Sequence, residues 1–311
     1  MNTIAYQTPA DARKWKRRLV YSPLARIVIF LLMAAAALAM LTVGARLMGL
    51  DVRGTPVNPQ SLSILVRQLV PFVGAYWILV YFIEKRTPVE LAWRKVVPHG
   101  LAGIFFGAAF IAATIGVMWL AGSYVVTGTQ DDVDWVKPLL VVGLGAAVSE
   151  EIVFRGVIFR IAEEGLGTWP ALAISALFFG GVHIMNPGAT VWSSFAIAVE
   201  AGVLLGLVYH LTRSLPLVMG IHMAWNFVQG TVFGVPVSGG AAKGWLISTR
   251  PGNEWLSGGA FGAEASVVAV ALSLVASAWM LNYAYRHQTI FVRRWRSNKT
   301  IEATAPQETT P

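Results

Sequence analysis

The sequence predicts an all-α polytopic membrane protein with about eight transmembrane helices and a polar active-site cavity inside the membrane. Three observations support this fold class. Of the 311 residues, 56% are hydrophobic and 13% are charged, whereas an average soluble domain carries about 25% charged residues. The chain contains twelve Trp and eight Tyr, residue types that collect at membrane interfaces. Finally, ionisable residues occur inside a few of the long apolar runs, which predicts the cavity.

Each long apolar run marks a predicted helix. Residues 27–45 carry no charge and, at about 1.5 Å per residue, approach the ~30 Å thickness of the hydrocarbon core. A cleavable signal peptide is the alternative, because Ala37, Leu38 and Ala39 loosely resemble a cleavage site, but the run stays apolar beyond them. The other seven predicted spans are residues 62–83, 100–125, 138–161, 168–186, 190–211, 214–233 and 265–285.

The distribution of basic residues predicts the orientation. Six of the 24 Lys and Arg residues fall on or toward the outer side, which leaves 24 − 6 = 18 on the cytoplasmic side. These 18 include Arg26, Arg86 and Arg160. The six are Arg46, Arg53, Arg67, Lys137, Lys243 and Arg250. Both termini are therefore predicted to be cytoplasmic, with the chain in a bacterial inner membrane, and the net charge of +8 indicates orientation rather than nucleic-acid binding.

We expect three parts along the chain. Residues 1–26 form a basic cytoplasmic segment, residues 27–286 form one integral membrane domain, and residues 287–311 form a cytoplasmic tail. The end of this tail is polar and contains proline, so we expect it to be disordered. The sequence shows no repeat of about 20–50 residues and no matched pair of broken helices of the kind found in transporters.

Ionisable side chains at membrane depth concentrate in the middle of the chain. Each costs at least ~2.5 kcal/mol on insertion scales, so each requires a partner or a function. Glu151 and Arg155 lie four residues apart on one helix face, which predicts an ion pair. Glu150 lies about 140° from Arg155 around the helix axis and has no partner in its own helix. An unpaired carboxylate at this depth suits a general base or a proton carrier.

Three residues on other predicted spans reach a similar depth. His183 lies in the fifth span, and His222 and Asn226 share one face of the seventh. We expect them to meet Glu150 in one cavity. Glu200, in the sixth span, is expected to be a structural partner of Arg155 or of a histidine. The remaining histidines lie near predicted membrane edges and are expected to face headgroups or water; they are His99, His210 and His287.

This set of residues suits hydrolysis by an activated water molecule. The chain has no cysteine, which excludes thiolate nucleophiles and Cys-ligated metal sites. In one mechanism a carboxylate takes a proton from water, one His orients the water, and a second His and the Asn stabilise the oxyanion. In the alternative, Glu150, His183 and His222 bind zinc, which lowers the pKa of bound water. The HExxH, GxSxG and GxGD motifs are absent.

The three motifs together resemble the CPBP family of intramembrane proteases, which includes the type II CAAX prenyl endopeptidases and bacteriocin-processing enzymes. They are Glu150-Glu151-xxx-Arg155, Phe179-xxx-His183 and His222-xxx-Asn226, and the resemblance covers about residues 138–233. It implies an eight-helix intramembrane endopeptidase. Glu150 would activate water, His183 would orient it, and His222 with Asn226 would bind the oxyanion. Glu151 and Arg155 would support the site.

The resemblance also implies the partners. The substrate would be a membrane-associated protein or peptide, of CAAX type or another type, and the chain would contact the lipid bilayer but no nucleic acid. Two alternatives keep the same polar cavity without proteolysis. One is a membrane scaffold or immunity-type protein, and the other is a transporter of a small solute or of protons.

Overall fold

The computed structural model describes residues 6, 8–49 and 59–292, and most of these residues are helical. In the N-terminal half the helices are α1 Lys14–Leu19, α2 Pro23–Leu47, α3 Pro59–Ile78 with the π-helical turn Leu79–Ile83, a 3₁₀ turn Val89–Leu91, and α4 Trp93–Leu120. A continuous segment then runs through the π-helical Pro138–Gly145, α5 Ala146–Glu151, the π-helical Ile152–Phe159 and α6 Arg160–Leu166.

The C-terminal half continues the bundle. Its elements are α7 Thr168–His183, α8 Val191–Ile197, the π-helical Ala198–Leu204, α9 Leu205–Thr212, α10 Leu215–Phe227, the π-helical Val228–Val232, α11 Glu254–Ser257, a 3₁₀ turn Ala263–Ala265, and α12 Val267–Arg286. Predictions on residues 1–5, 7, 50–58 and 293–311, including the disordered end of the tail, lie outside the described residues.

Five helical segments in the described part of the chain are long and apolar enough to cross a membrane. They are Pro23–Leu47, Leu62–Ile83, Trp93–Leu120, Val191–Thr212 and Val267–Arg286. A sixth, α7, is apolar but has 16 residues. The architecture is therefore that of a mainly helical integral membrane protein.

Helix α4 lies furthest from its predicted limits. The apolar run predicted a span at residues 100–125, whereas α4 begins at Trp93 and ends at Leu120. Hydropathy marks the apolar stretch of a helix and misses its polar first turns, which here contain Arg94 and Lys95. At the other end, Gly122 adopts a left-handed conformation with φ of +72°, which ends the helix.

A small sheet lies outside the helices and departs from the all-α prediction. Strand β1 Val125–Thr129 pairs antiparallel with β2 Leu246–Thr249, with Val125 opposite Thr249 and a bulge after Val126. Both strands are short and rich in β-branched residues, which favour extended backbone. The sheet links the connection after α4 to the connection after α10.

Glycines allow α4 and α10 to pack at very short distance. A Cβ atom at Gly103 would lie 2.2 Å from the carbonyl oxygen of Leu217, and one at Gly107 would lie 2.3 Å from that of Ile221. Small residues four apart on one helix face permit this backbone contact between membrane helices. This contact fixes the position of α10, the helix that carries His222.

A buried ionic cluster ties the helices together at the end of the bundle where α2 begins, here called the Arg26 end. The carboxylate of Glu84 accepts hydrogen bonds from Arg26 at 2.6 Å, Arg86 at 2.7 Å and Arg160 at 3.0 Å. Burial raises the pKa of Glu84, but the three guanidinium groups outweigh burial, so its pKa lies below the ordinary value of 4.5. Arg26 and Arg160 are buried, although the sequence placed them among the cytoplasmic connections.

His210 is also buried rather than at a membrane surface, which corrects the prediction for this residue. Its Nδ1 lies 2.7 Å from the carboxylate of Glu163, and its Nε2 lies 3.3 Å from the hydroxyl of Thr289. The last turn of α9 is thus enclosed by α6 and by the segment after α12. In contrast, His99 is half-buried and His287 is exposed.

Candidate active site

The predicted ion pair between Glu151 and Arg155 is present and fully buried. Nη1 of Arg155 donates to Oε1 of Glu151 at 2.8 Å. Nη2 of the same guanidinium donates to the carbonyl oxygen of Ala201. Both terminal nitrogens of Arg155 thus have partners other than Glu200, and the predicted pairing of Arg155 with Glu200 does not form.

The imidazole of His222 is held by the same carboxylate. Its Nδ1 lies 2.9 Å from Oε1 of Glu151. Because an ionised carboxylate only accepts hydrogen bonds, Nδ1 carries a proton and Nε2 is left for other partners. Nε2 lies 3.9 Å from Oε2 of Glu150. Glu151 therefore contacts both Arg155 and His222, a direct link that the sequence spacing did not reveal.

Phe179 explains the spacing of the second motif. Nδ1 of His183 lies 2.7 Å from the carbonyl oxygen of Phe179, one turn earlier in α7, so Nδ1–H donates and Nε2 keeps its lone pair. The two rings also stack, with centroids 4.8 Å apart and planes inclined by 19°. The guanidinium of Arg155 lies 4.8 Å from the centroid of the same phenyl ring. Phe179 thus orients His183 and contacts the buried ion pair.

Asn226 and the two histidines line one cavity. The free space in this cavity, about 30 Å³, accommodates a water molecule or two. Asn226 lies one turn after His222 and donates from Nδ2 to the carbonyl oxygen of Val142 at 3.0 Å. Glu150 lies outside the cavity wall, with 32% of its side chain exposed. The structure therefore brings His183, His222 and Asn226 together and places Glu150 beside His222.

Two acids in the cavity wall complete the site. Glu200 was expected to be a structural partner, but its carboxylate forms no hydrogen bond within residues 6, 8–49 and 59–292. Glu264, from the 3₁₀ turn Ala263–Ala265, was not predicted at all. Its carboxylate accepts hydrogen bonds from the backbone N–H of Ser238 at 2.5 Å and from its hydroxyl at 3.2 Å. In the sequence, Glu264 lies just before the last apolar run, a position typical of a loop between helices.

The candidate zinc ligands do not form a ligand group in this arrangement. The described part of the chain contains no cluster of three His, Asp or Glu side chains placed to hold a metal ion. His183 and His222 each use Nδ1 for a protein acceptor. We therefore derive no step of the reaction through a metal, and zinc stays a prediction of the sequence.

One family model matches the part of the chain that contains the site residues. Residues 132–228 match the family model described as "Type II CAAX prenyl endopeptidase Rce1-like". The chain has no match among curated proteins and none among solved structures. The matched segment contains all six predicted site residues, namely Glu150, Glu151, Arg155, His183, His222 and Asn226. This segment, about a third of the chain, is therefore similar to the Rce1-like type II CAAX prenyl endopeptidases.

Proposed function

We propose that this protein is an intramembrane endopeptidase that hydrolyses a peptide bond of a membrane-associated, CAAX-like protein or peptide. The observation that carries the proposal is the arrangement around His222. Glu151 holds its Nδ1, Glu150 lies 3.9 Å from its Nε2, and His183 and Asn226 line the same cavity. The family match supports this reading.

Glu150 is the general base of the proposed reaction. Its Oε2 and the Nε2 of His222 are too far apart for a direct hydrogen bond, and a water molecule in contact with both groups is well placed to be the nucleophile. Glu150 takes a proton from this water as its oxygen attacks the carbonyl carbon of the substrate. His183 presents an Nε2 lone pair, which accepts a hydrogen bond from the water and orients it.

His222 and Asn226 stabilise the oxyanion that develops on the substrate carbonyl. The carboxylate of Glu151 favours the protonated imidazolium of His222, whose Nε2–H is then a charged donor. Asn226 uses one amide hydrogen for Val142 and has a second to donate. When the C–N bond breaks, Glu150 returns its proton to the leaving nitrogen.

We further propose that the chain crosses a bacterial inner membrane eight times, with both termini in the cytoplasm. Each of the eight predicted spans overlaps a helical segment, and five of these segments meet the length and hydropathy criteria. The three shorter or more polar segments carry the site residues. Their internal ion pair and hydrogen bonds lower the cost of placing polar groups in the membrane.

The proposal is tested by cleavage of a membrane-anchored CAAX-type reporter in proteoliposomes. Wild type should cleave it, and Glu150→Ala and His222→Ala should not. The exposed Glu254→Gln is the matched control and should cleave at the wild-type rate. Full activity in both site variants would overturn the proposal. A cellular phenotype that survives Glu150→Gln would instead favour a scaffold, and substrate flux that depends on Glu150 would favour a transporter.

Metal content tests the zinc alternative separately. If zinc binds His183 and His222, the purified protein should carry about one metal ion per chain, and the double variant His183→Ala/His222→Ala should lose it. Elemental analysis of both proteins measures this. Full activity in a thoroughly metal-stripped sample would instead support the mechanism that uses Glu150 and water alone.

A further inference from the structure

The carboxyl group of Glu200 has an unusual environment. The residue is 1% exposed, lies in the π-helical segment Ala198–Leu204 and lines the cavity with His183 and His222. Within the described residues, neither of its oxygens has a hydrogen-bond partner. An ionised carboxylate without a partner is very costly in an apolar interior. Glu200 therefore either holds a proton or faces a positive charge supplied from outside the protein.

A second buried acid shares this cavity. Glu264 is 3% exposed and lines the same wall, where Ser238 holds its carboxylate. Burial raises the pKa of Glu264 to about 7, despite the opposing hydrogen bonds from Ser238. Because two interacting carboxyl groups do not both ionise readily, the pair holds at least one proton near neutral pH.

The surrounding elements offer little positive charge to ionise the pair. From α7 and α10 the facing titratable groups are His183 and His222, and the second is already paired with Glu151. Arg155 binds the backbone next to Glu200, but Glu151 balances its charge, and the charge of a protonated His222 faces Glu150. The buried polar groups that α12 adds are serines. Within the described residues, the cavity wall thus has two carboxyl groups and no lysine or arginine.

Peptide hydrolysis produces an amine, which a cavity wall with two carboxyl groups can bind and protonate. The reaction creates a new amino terminus, and a neutral amine must gain a proton to become an ammonium ion. Resting on the proposed function, we propose that Glu200 and Glu264 form a proton-holding carboxyl pair that protonates and briefly binds the amine product of the cleavage.

The proton balance of this step is simple. The O–H bond of one carboxyl group breaks and an N–H bond forms on the amine lone pair, which leaves a carboxylate beside an ammonium ion. After the ammonium product departs, the pair takes a proton from solvent, and the carboxylic acid product releases one. No oxidant or second substrate takes part.

Infrared spectroscopy tests the protonation state without any need for activity. The difference spectrum between wild type and Glu200→Gln at pH 6 should contain the C=O stretching band of a protonated carboxylic acid. In the difference spectrum between wild type and Glu264→Gln, the corresponding band should disappear as the pH rises through about 7. The exposed Glu254→Gln should show no such band. Absence of the band in the Glu200→Gln difference spectrum would overturn the proposal, whether or not the protein is a protease.

Kinetics then test the role in turnover. Glu200→Gln and Glu264→Gln should each lower kcat, because the amine product leaves more slowly when it is not protonated, and should flatten the fall in kcat above pH 7. Glutamine has the shape of a protonated glutamate, so the thermal unfolding midpoints should stay at the wild-type value. If both variants keep the wild-type kcat and pH profile, the proposal that Glu200 and Glu264 donate a proton to the amine product is wrong. A wild-type protein that cleaves no substrate would instead refute the proposed function, and the infrared result would still decide whether the pair holds a proton.

Discussion

Replacing Glu150 by glutamine is expected to lower the cleavage rate by about 10²–10⁴-fold, because the amide cannot accept the proton of the attacking water. The fold should be unaffected. Oε2 of Glu150 forms no hydrogen bond within the described residues, and its distance to His222 is 3.9 Å. Single-turnover cleavage of the reporter measures the rate, and thermal unfolding in detergent measures the stability.

Glu151→Gln is the informative comparison for this prediction. It removes the charge that both Arg155 and His222 contact, so it should lower cleavage and also destabilise the protein by about 3–5 kcal/mol. Both variants should lose activity, but only Glu151→Gln should also lose stability, so the stability measurement distinguishes the two glutamates. If Glu150→Gln unfolds as readily as Glu151→Gln, the assignment of Glu150 to chemistry and Glu151 to support is wrong.

Glu84→Gln should produce the largest loss of stability at the Arg26 end. Its carboxylate contacts Arg26, Arg86 and Arg160, and removal of one partner from a buried charge cluster typically costs about 3–5 kcal/mol. The helices that meet there are α2, α3 and α6. Unfolding in detergent at pH 7, compared with the exposed control Glu254→Gln, measures the effect.

The same cluster predicts a dependence of stability on pH. The pKa of Glu84 is lower in the folded protein than its ordinary value of 4.5, so its contribution is complete above that pH. The contribution is lost as the pH falls below 4.5, because the folded state must then accept a proton that breaks the cluster. Wild type and Glu84→Gln should therefore converge in stability in acid. An unchanged difference between them at low pH would contradict this account.

The sequence predicted the parts of the molecule that depend on local spacing. Glu151 and Arg155 are four residues apart, and helix geometry alone indicated their ion pair. Likewise, His222 and Asn226 were expected on one face of a helix, and both line the cavity. The apolar runs located the helices because the lipid environment imposes a strong and simple hydropathy pattern.

Contacts between distant segments could not be predicted in the same way. Nothing in the spacing indicates that Glu151 contacts His222, 71 residues later, or that Glu264 reaches the cavity from beyond the last predicted site helix. Arg26 and Arg160 were interpreted as surface charges, because a single sequence shows the number of basic residues at a membrane edge but not the acids that pack against them. Such pairings depend on tertiary packing, on which helix periodicity carries no information.

In the proposed reaction, the contact between α4 and α10 gives a helix that carries no predicted site residue a part in positioning His222. With glycine at positions 103 and 107, backbone lies directly on backbone, and no rotating side chain stands between the two helices. The position of the His222 ring along α10 is thus set by contact between two backbones rather than by side chains that can change rotamer. Since errors of about 1 Å in catalytic geometry can cost ~10²-fold in rate, Gly103 and Gly107 would limit how far the proposed oxyanion donors His222 and Asn226 can shift.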